Sequence, residues 1–177
     1  MTDVVDKQAM SCNVIDVVYP EGAELLSSAV ETPRYISLKV CLDSGAGAHV
    51  VNKKAVPGYA VKASAMSRAG AAFFAADGGR IKNYGEVQVN MVSLDSKGNQ
   101  HLITSKFEAA DVTRALWSVG VICDSGLDVR FSATQVRILD EQGQELCVFH
   151  RTKGSGLYIA EVMVENPDHP DFQRRGA

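Results

Sequence analysis

The sequence has few cysteines and no two of them close together, which excludes the common zinc-binding patterns and a small disulfide scaffold. The four cysteines are Cys12, Cys41, Cys123 and Cys147. Buried or half-buried thiols in a reducing compartment are their expected state. Cys147 and His150 form a lone C-x-x-H pair, which is more typical of a hairpin than of a metal site. We therefore expect no metal ion and no other cofactor.

A basic excess and a long apolar run are also lacking. The chain carries 18 Lys and Arg against 21 Asp and Glu, a net charge of -3, which argues against binding to nucleic acid or to an anionic membrane. No apolar run approaches the length of a membrane span, and no basic region followed by an apolar core begins the chain. We expect a protein of the cytoplasm or of a particle interior, although excision from a polyprotein would hide a targeting signal.

Alternating apolar and polar residues predict a mostly β fold. The clearest half-buried strand runs from Tyr35 to Leu42. Further strands are predicted over 86–91, 101–110, 127–131, 136–139, 145–149 and 157–160. The segment 113–125 predicts one short helix, with Gly126 where a helix ends.

The first predicted strand ends in Asp43-Ser44-Gly45-Ala46, a carboxylate followed by small residues. Glycine permits close approach of a second chain, and the serine hydroxyl can bond backbone groups. Two carboxylates about 3 Å apart cannot both ionise, so a pair of them shares a proton and supplies a base and an acid together. This is the chemistry of an aspartic peptidase, although Asp-Ser-Gly by itself is more often ordinary turn chemistry.

Asp77-Gly78-Gly79 predicts a hairpin turn, and Gly70 and Gly85 flank it. A glycine-bearing hairpin beside a carboxylate is either a lid over substrate or an ordinary β-meander with bulges. A second Asp-Ser-Gly begins at Asp124. It follows a helical segment, so we interpret Asp124 as a helix-terminal turn residue rather than as the partner of Asp43.

Several segments together resemble the retropepsin-like aspartic proteases of retroviruses and retrotransposons, particularly copia-type elements. The segments are Leu42–Ala46 with His49, Ala76–Gly78 leading through Ile81 and Gly85, Leu116–Gly120 continuing as Asp124–Phe131, and Gly156–Ile159. Trp117 stands where a similar helix motif usually has leucine. The resemblance covers roughly residues 35–160.

The resemblance implies a small retropepsin-like closed barrel with a flap hairpin and one short helix. It also implies a homodimer that hydrolyses peptide bonds of a retrotransposon-type polyprotein, with one catalytic Asp43 from each chain. Ser44 and Gly45 would support the dyad. Gly45, Ala46, Gly78 and Gly79 would bind the polypeptide substrate.

The same resemblance divides the chain into four parts. Residues 1–34 are an N-terminal extension or linker, and 35–140 are the protease domain. Residues 141–164 are a C-terminal β-hairpin extension resembling the junction before integrase, and 165–177 are a disordered tail.

Two other functions remain open. One is a catalytically inactive retropepsin-like module for dimerisation or peptide binding. The other is a cysteine hydrolase that uses Cys41 or Cys123 with a histidine, although neither cysteine lies in a recognisable nucleophile turn.

Overall fold

A computed structural model describes residues 32–75 and 77–175. The described residues belong to one compact unit. The strands are β1 (Tyr35–Asp43), β2 (Val50–Val51), β3 (Ala72–Phe74), β4 (Arg80–Leu94), β5 (Gln100–Ala110), β6 (Ala115–Ser118), β7 (Asp128–Phe131), β8 (Gln135–Leu139), β9 (Glu145–Arg151) and β10 (Tyr158–Glu165). The helices are α1 (Ala65–Arg68), α2 (Val119–Asp124) and α3 (Pro170–Arg175), and Lys53–Ala55 form a 3-10 turn.

Strand β1 shows how the alternating pattern builds the core. Leu38 and Val40 are buried, whereas the intervening Ser37 and Lys39 are exposed, as expected for side chains that point to opposite faces of a strand. The same alternation buries every second residue of β4. The strand predictions over 35–42, 86–91 and 101–110 are thus confirmed, and so is the mostly β fold.

The ten strands form one mixed sheet in the order β3-β4-β5-β2-β6-β1-β10-β9-β8-β7. Strand β6 lies between β1 and β2, parallel to β1 and antiparallel to β2. A short additional pairing joins β10 to β4. The sheet still ends at β3 and β7, so the predicted closed barrel is wrong. Turn signals and strand lengths do not determine which distant strands pair, and the β7–β9 strands extend the sheet beyond β10.

The helix predicted over 113–125 is correct only in its second half. Residues Ala115–Ser118 form β6, in the middle of the sheet, and α2 begins at Val119. The Ser118 hydroxyl accepts the Val121 N–H at 3.3 Å and caps the helix. Gly126 follows the helix end with φ +85°, a conformation that favours glycine. A short buried apolar run such as 115–117 suits either a strand or a helix.

The C-terminal part is integral to the sheet. Strand β9 pairs with β8, and β10 lies directly beside β1, so 141–164 continue the sheet that 35–140 begin. Within the predicted disordered tail, α3 forms, and the Phe172 ring lies edge-on to Tyr59 with centroids 6.1 Å apart. Residues 1–31 of the predicted N-terminal extension or linker lie outside the described residues.

Candidate active site

Asp43 is the last residue of β1, beside Ser118 of the parallel strand β6. Its side chain is half-buried, and Oδ1 accepts the Gly45 N–H at 2.8 Å. The following residues, up to Ala48, are all glycine, alanine or serine. The carboxylate therefore stands at the head of a turn that leaves it accessible.

Ser118 attaches this turn to the sheet. Its hydroxyl donates to the Ala46 carbonyl oxygen at 2.6 Å, and its backbone N–H donates to His49 Nδ1 at 3.0 Å. Ser118 is completely buried. Because buried polar groups need partners, these bonds define where the turn lies relative to β6.

His49 closes the turn and is packed between aromatic rings. Its imidazole lies 5.6 Å from the Phe107 ring and 6.1 Å from the Trp117 ring, centroid to centroid. Burial lowers the pKa of His49 to about 4. The ring is therefore neutral at pH 7, and since Nδ1 accepts a hydrogen bond, the ring proton belongs on Nε2.

A cleft of about 460 Å³ opens between the Asp43 turn and the β3–β4 hairpin. Its described lining is Asp43, Gly45, Ala46, Gly47, Ala48, Val50, Ala72, Phe73, Phe74, Ala75, Ile81, Val112 and Leu116. Asp43 is the one charged residue in that set. The arrangement places one carboxylate in a cleft whose other lining residues have apolar side chains or are glycine, a composition that suits a binding site.

The β3–β4 hairpin lines the same cleft as the Asp43 carboxylate. At its tip, the Gly79 N–H donates to Asp77 Oδ1 at 2.9 Å, and Gly78 has φ +85°. Gly78 and Gly79 are exposed at this tip and do not line the cleft. The hairpin instead faces the cleft with β3, where Phe74 is also 71% exposed.

The base of the hairpin is attached to the same part of the sheet as the turn. The Glu108 carboxylate accepts from Ser64 Oγ at 2.7 Å and from Asn83 Nδ2 at 2.8 Å. The Glu108 backbone N–H donates to the His49 carbonyl oxygen at 2.8 Å. One residue of β5 thus bonds both to the residue that ends the Asp43 turn and to residues at the base of the hairpin.

The structure does not bring Asp124 to Asp43. Asp124 is exposed at the far end of α2 and does not line the cleft. Its place at the helix end is the one that the sequence predicted. Among the described residues, the second Asp-Ser-Gly therefore supplies no partner carboxylate for Asp43.

The cysteines do not form a nucleophilic site in the described part of the chain. Cys41 is buried, and burial raises the pKa of its thiol. Its sulfur contacts the Leu42 carbonyl oxygen at 3.6 Å. Cys123 is exposed on α2. A thiol nucleophile needs a lowered pKa or an adjacent base, and within residues 32–75 and 77–175 the His49 side chain accepts from the Ser118 N–H rather than from a thiol.

Sequence reasoning identified Asp43 and its turn but missed the roles of Ser118 and Glu108. In the sequence Ser118 was visible only as a serine after the apolar run 115–117, inside the segment predicted to be helical. Glu108 gave a weaker signal, a single acidic residue in an otherwise apolar strand end. Their partners are distant in sequence, so no local pattern specifies them.

Comparison with protein-family models, with curated proteins and with solved structures found no match for this chain. Over residues 32–75 and 77–175, no helix has the length and apolar character needed to cross a membrane.

Proposed function

We propose that this chain is a retropepsin-like aspartic endopeptidase that acts as a homodimer on a retrotransposon-type polyprotein. The observation that carries the proposal is Asp43, a carboxylate at the end of a central strand, which lines one cleft together with residues of a glycine-bearing hairpin. The insertion of β6 between β1 and β2 adds support, because it fixes the turn after Asp43 at the middle of the sheet.

The chemistry requires two carboxylates that share a proton. Each chain supplies Asp43, and a two-fold axis through the site brings the two copies together. The ionised partner takes a proton from water, which attacks the peptide carbonyl carbon, and the protonated partner donates to the carbonyl oxygen. The C–N bond of the resulting tetrahedral intermediate then breaks: the newly protonated partner donates to the leaving nitrogen, and the other partner takes a proton back from a hydroxyl group of the intermediate, which restores the shared proton. Gly45 holds one Asp43 oxygen through its N–H, and the exposed Ser44 is available to bond across the interface.

The substrate is an extended polypeptide lying between the turn and the flap. Gly45 and Ala46 line the cleft and leave room for its backbone, while Phe73, Phe74 and Ile81 offer apolar contacts. This lining favours apolar side chains next to the bond that is cut. Gly78 and Gly79 contact substrate only when the flap tip closes.

The decisive experiment compares wild type with Asp43→Asn on a library of proteome-derived peptides, between about pH 4 and 7, where a shared proton matters. We expect cleavage to fall by about 100-fold or more, because general acid–base catalysis contributes that much. Asp124→Asn is the matched control, because it makes the same substitution in the second Asp-Ser-Gly sequence, at an exposed helix end. This variant should cleave peptides at the wild-type rate.

Cleavage that survives in Asp43→Asn contradicts the proposal. A wild-type dimer that binds peptides but cuts none of them also contradicts it, and supports instead the catalytically inactive dimerisation or peptide-binding module.

A further inference from the structure

His49 stands between the Asp43 turn and a second cavity. The second cavity, of about 360 Å³, is largely apolar and includes His49, Trp117 and Ile122 in its lining. On the other side, His49 Nδ1 accepts the Ser118 N–H at 3.0 Å. The ring thus connects the buried aromatic cluster with the residue that also holds Ala46.

We propose that His49 is a positioning residue for the candidate catalytic carboxylate, acting as a neutral imidazole that accepts the Ser118 N–H and so fixes the turn bearing Asp43. The inference rests on the proposed function for its catalytic consequence, but the hydrogen bond itself is independent of any activity.

The turn has little else to hold it. Residues 44–48 carry only small side chains, so packing contributes little to their position. The attachments are hydrogen bonds from Ser118 to Ala46 and to His49, and from Glu108 N–H to the His49 carbonyl oxygen. Loss of the imidazole acceptor leaves the Ser118 N–H buried without a partner, a state that proteins avoid by moving the backbone.

Protonation of His49 would break this attachment, because an imidazolium has a hydrogen on both nitrogens and Nδ1 can no longer accept. Burial against Phe107 and Trp117 disfavours that state. Of the charged groups around the ring, Lys106 lines the same cavity, and Asp43 begins the same turn. The Glu108 carboxylate is bound by Ser64 and Asn83, and on α2 Asp124 is exposed at the far end.

The test uses two variants of the full chain that separate the ring of His49 from its hydrogen-bond acceptor. His49→Phe keeps a ring against Phe107 and Trp117 but removes the acceptor. His49→Asn loses the ring but can place Oδ1 where Nδ1 accepts. We expect His49→Phe to lower kcat by about tenfold or more with KM changed less than threefold, since a misplaced catalytic group mainly affects kcat.

His49→Asn should recover most of that kcat and keep its activity to lower pH than wild type. Equal losses in the two variants, or a loss confined to KM, overturn the inference.

A second measurement does not depend on activity. Nitrogen-15 NMR should find His49 with Nδ1 unprotonated at pH 7, and a Ser118 amide that exchanges slowly. That protection should disappear in His49→Phe and in wild type below about pH 4, where the ring becomes charged, and it should persist in His49→Asn. A protonated Nδ1 at pH 7, or a Ser118 amide protected equally in all three proteins, overturns the inference even if peptides are cut. If the spectra are as expected but the protein cuts no peptide, the hydrogen bond between Ser118 and His49 is established and only the proposed function is rejected.

Discussion

Gly85 provides a test of how the β3–β4 hairpin is anchored. It lies in β4 at an irregularity of the β4–β5 pairing, with φ +128°. A Cβ atom at this position would lie 2.2 Å from the Lys62 carbonyl oxygen. Next to it, Lys62 and Glu86 exchange two backbone hydrogen bonds of 2.9 and 2.7 Å. In Gly85→Ala, the segment around Lys62 must move away and these bonds must break or lengthen.

The expected loss of stability has two parts. A non-glycine residue at positive φ costs about 1–2 kcal/mol. Two lost backbone hydrogen bonds cost about 1 kcal/mol each. Gly85→Ala should therefore lower the free energy of unfolding by about 3–4 kcal/mol. Gly98→Ala is the control, because Gly98 also has a positive φ, +81°, but a Cβ there meets nothing within 4 Å, so only the first cost of about 1–2 kcal/mol applies.

Urea unfolding of the two variants and wild type measures the difference directly. Gly85→Ala should be less stable than Gly98→Ala by about 2 kcal/mol. Equal destabilisation of the two variants would show that the contact between Gly85 and Lys62 does not hold the hairpin base, and would refute the reasoning.

Three further predictions concern the site. The pKa of His49 is lowered from 6.5 to about 4 in the folded chain, so between those pH values the unfolded state binds more protons than the folded state. The free energy of unfolding should therefore fall by about 1–2 kcal/mol as the pH drops from about 6.5 to 4, once the partial exposure of the ring is allowed for. Urea unfolding at several pH values should show a flatter pH dependence in His49→Asn than in wild type, and an identical dependence would contradict the assignment. Phe74→Ala should leave the free energy of unfolding within about 0.5 kcal/mol, since the side chain is 71% exposed, but should raise KM for peptides by about tenfold, or 1.4 kcal/mol; an unchanged KM would remove Phe74 from the substrate site. A thiol-alkylating reagent should modify the exposed Cys123 readily and the buried Cys41 slowly, and peptide cleavage should persist after modification. Loss of cleavage in step with the modification of Cys123 would favour a cysteine hydrolase.

The parts of the fold that sequence predicted are those fixed by local patterns. Strands β1, β4 and β5 follow from alternation, because one face of each is buried. The turn at 77–79 follows from its aspartate and two glycines. Strand β6 was missed because a four-residue strand shows no period, and its place beside β1 depends on pairing with residues far away in sequence.

The same division applies to the site. Asp43, Gly45 and Ala46 were expected to lie together, and they line one cleft, because a single turn places them there. Gly78 and Gly79 were expected to contact substrate but stand at the exposed hairpin tip. Sequence marks the tip of a hairpin, whereas the twist of the two strands decides which residues face the cleft.

The central claim is that one Asp43 from each of two chains forms a single catalytic site. The direct measurement mixes wild-type and Asp43→Asn chains in equal amounts, allows the dimers to exchange, and records peptide cleavage at constant total protein. If both carboxylates are required, activity follows the square of the wild-type fraction and falls to about one quarter. Activity of about one half would mean that each chain acts alone, and that result, or wild-type protein that cuts no peptide, would contradict the account.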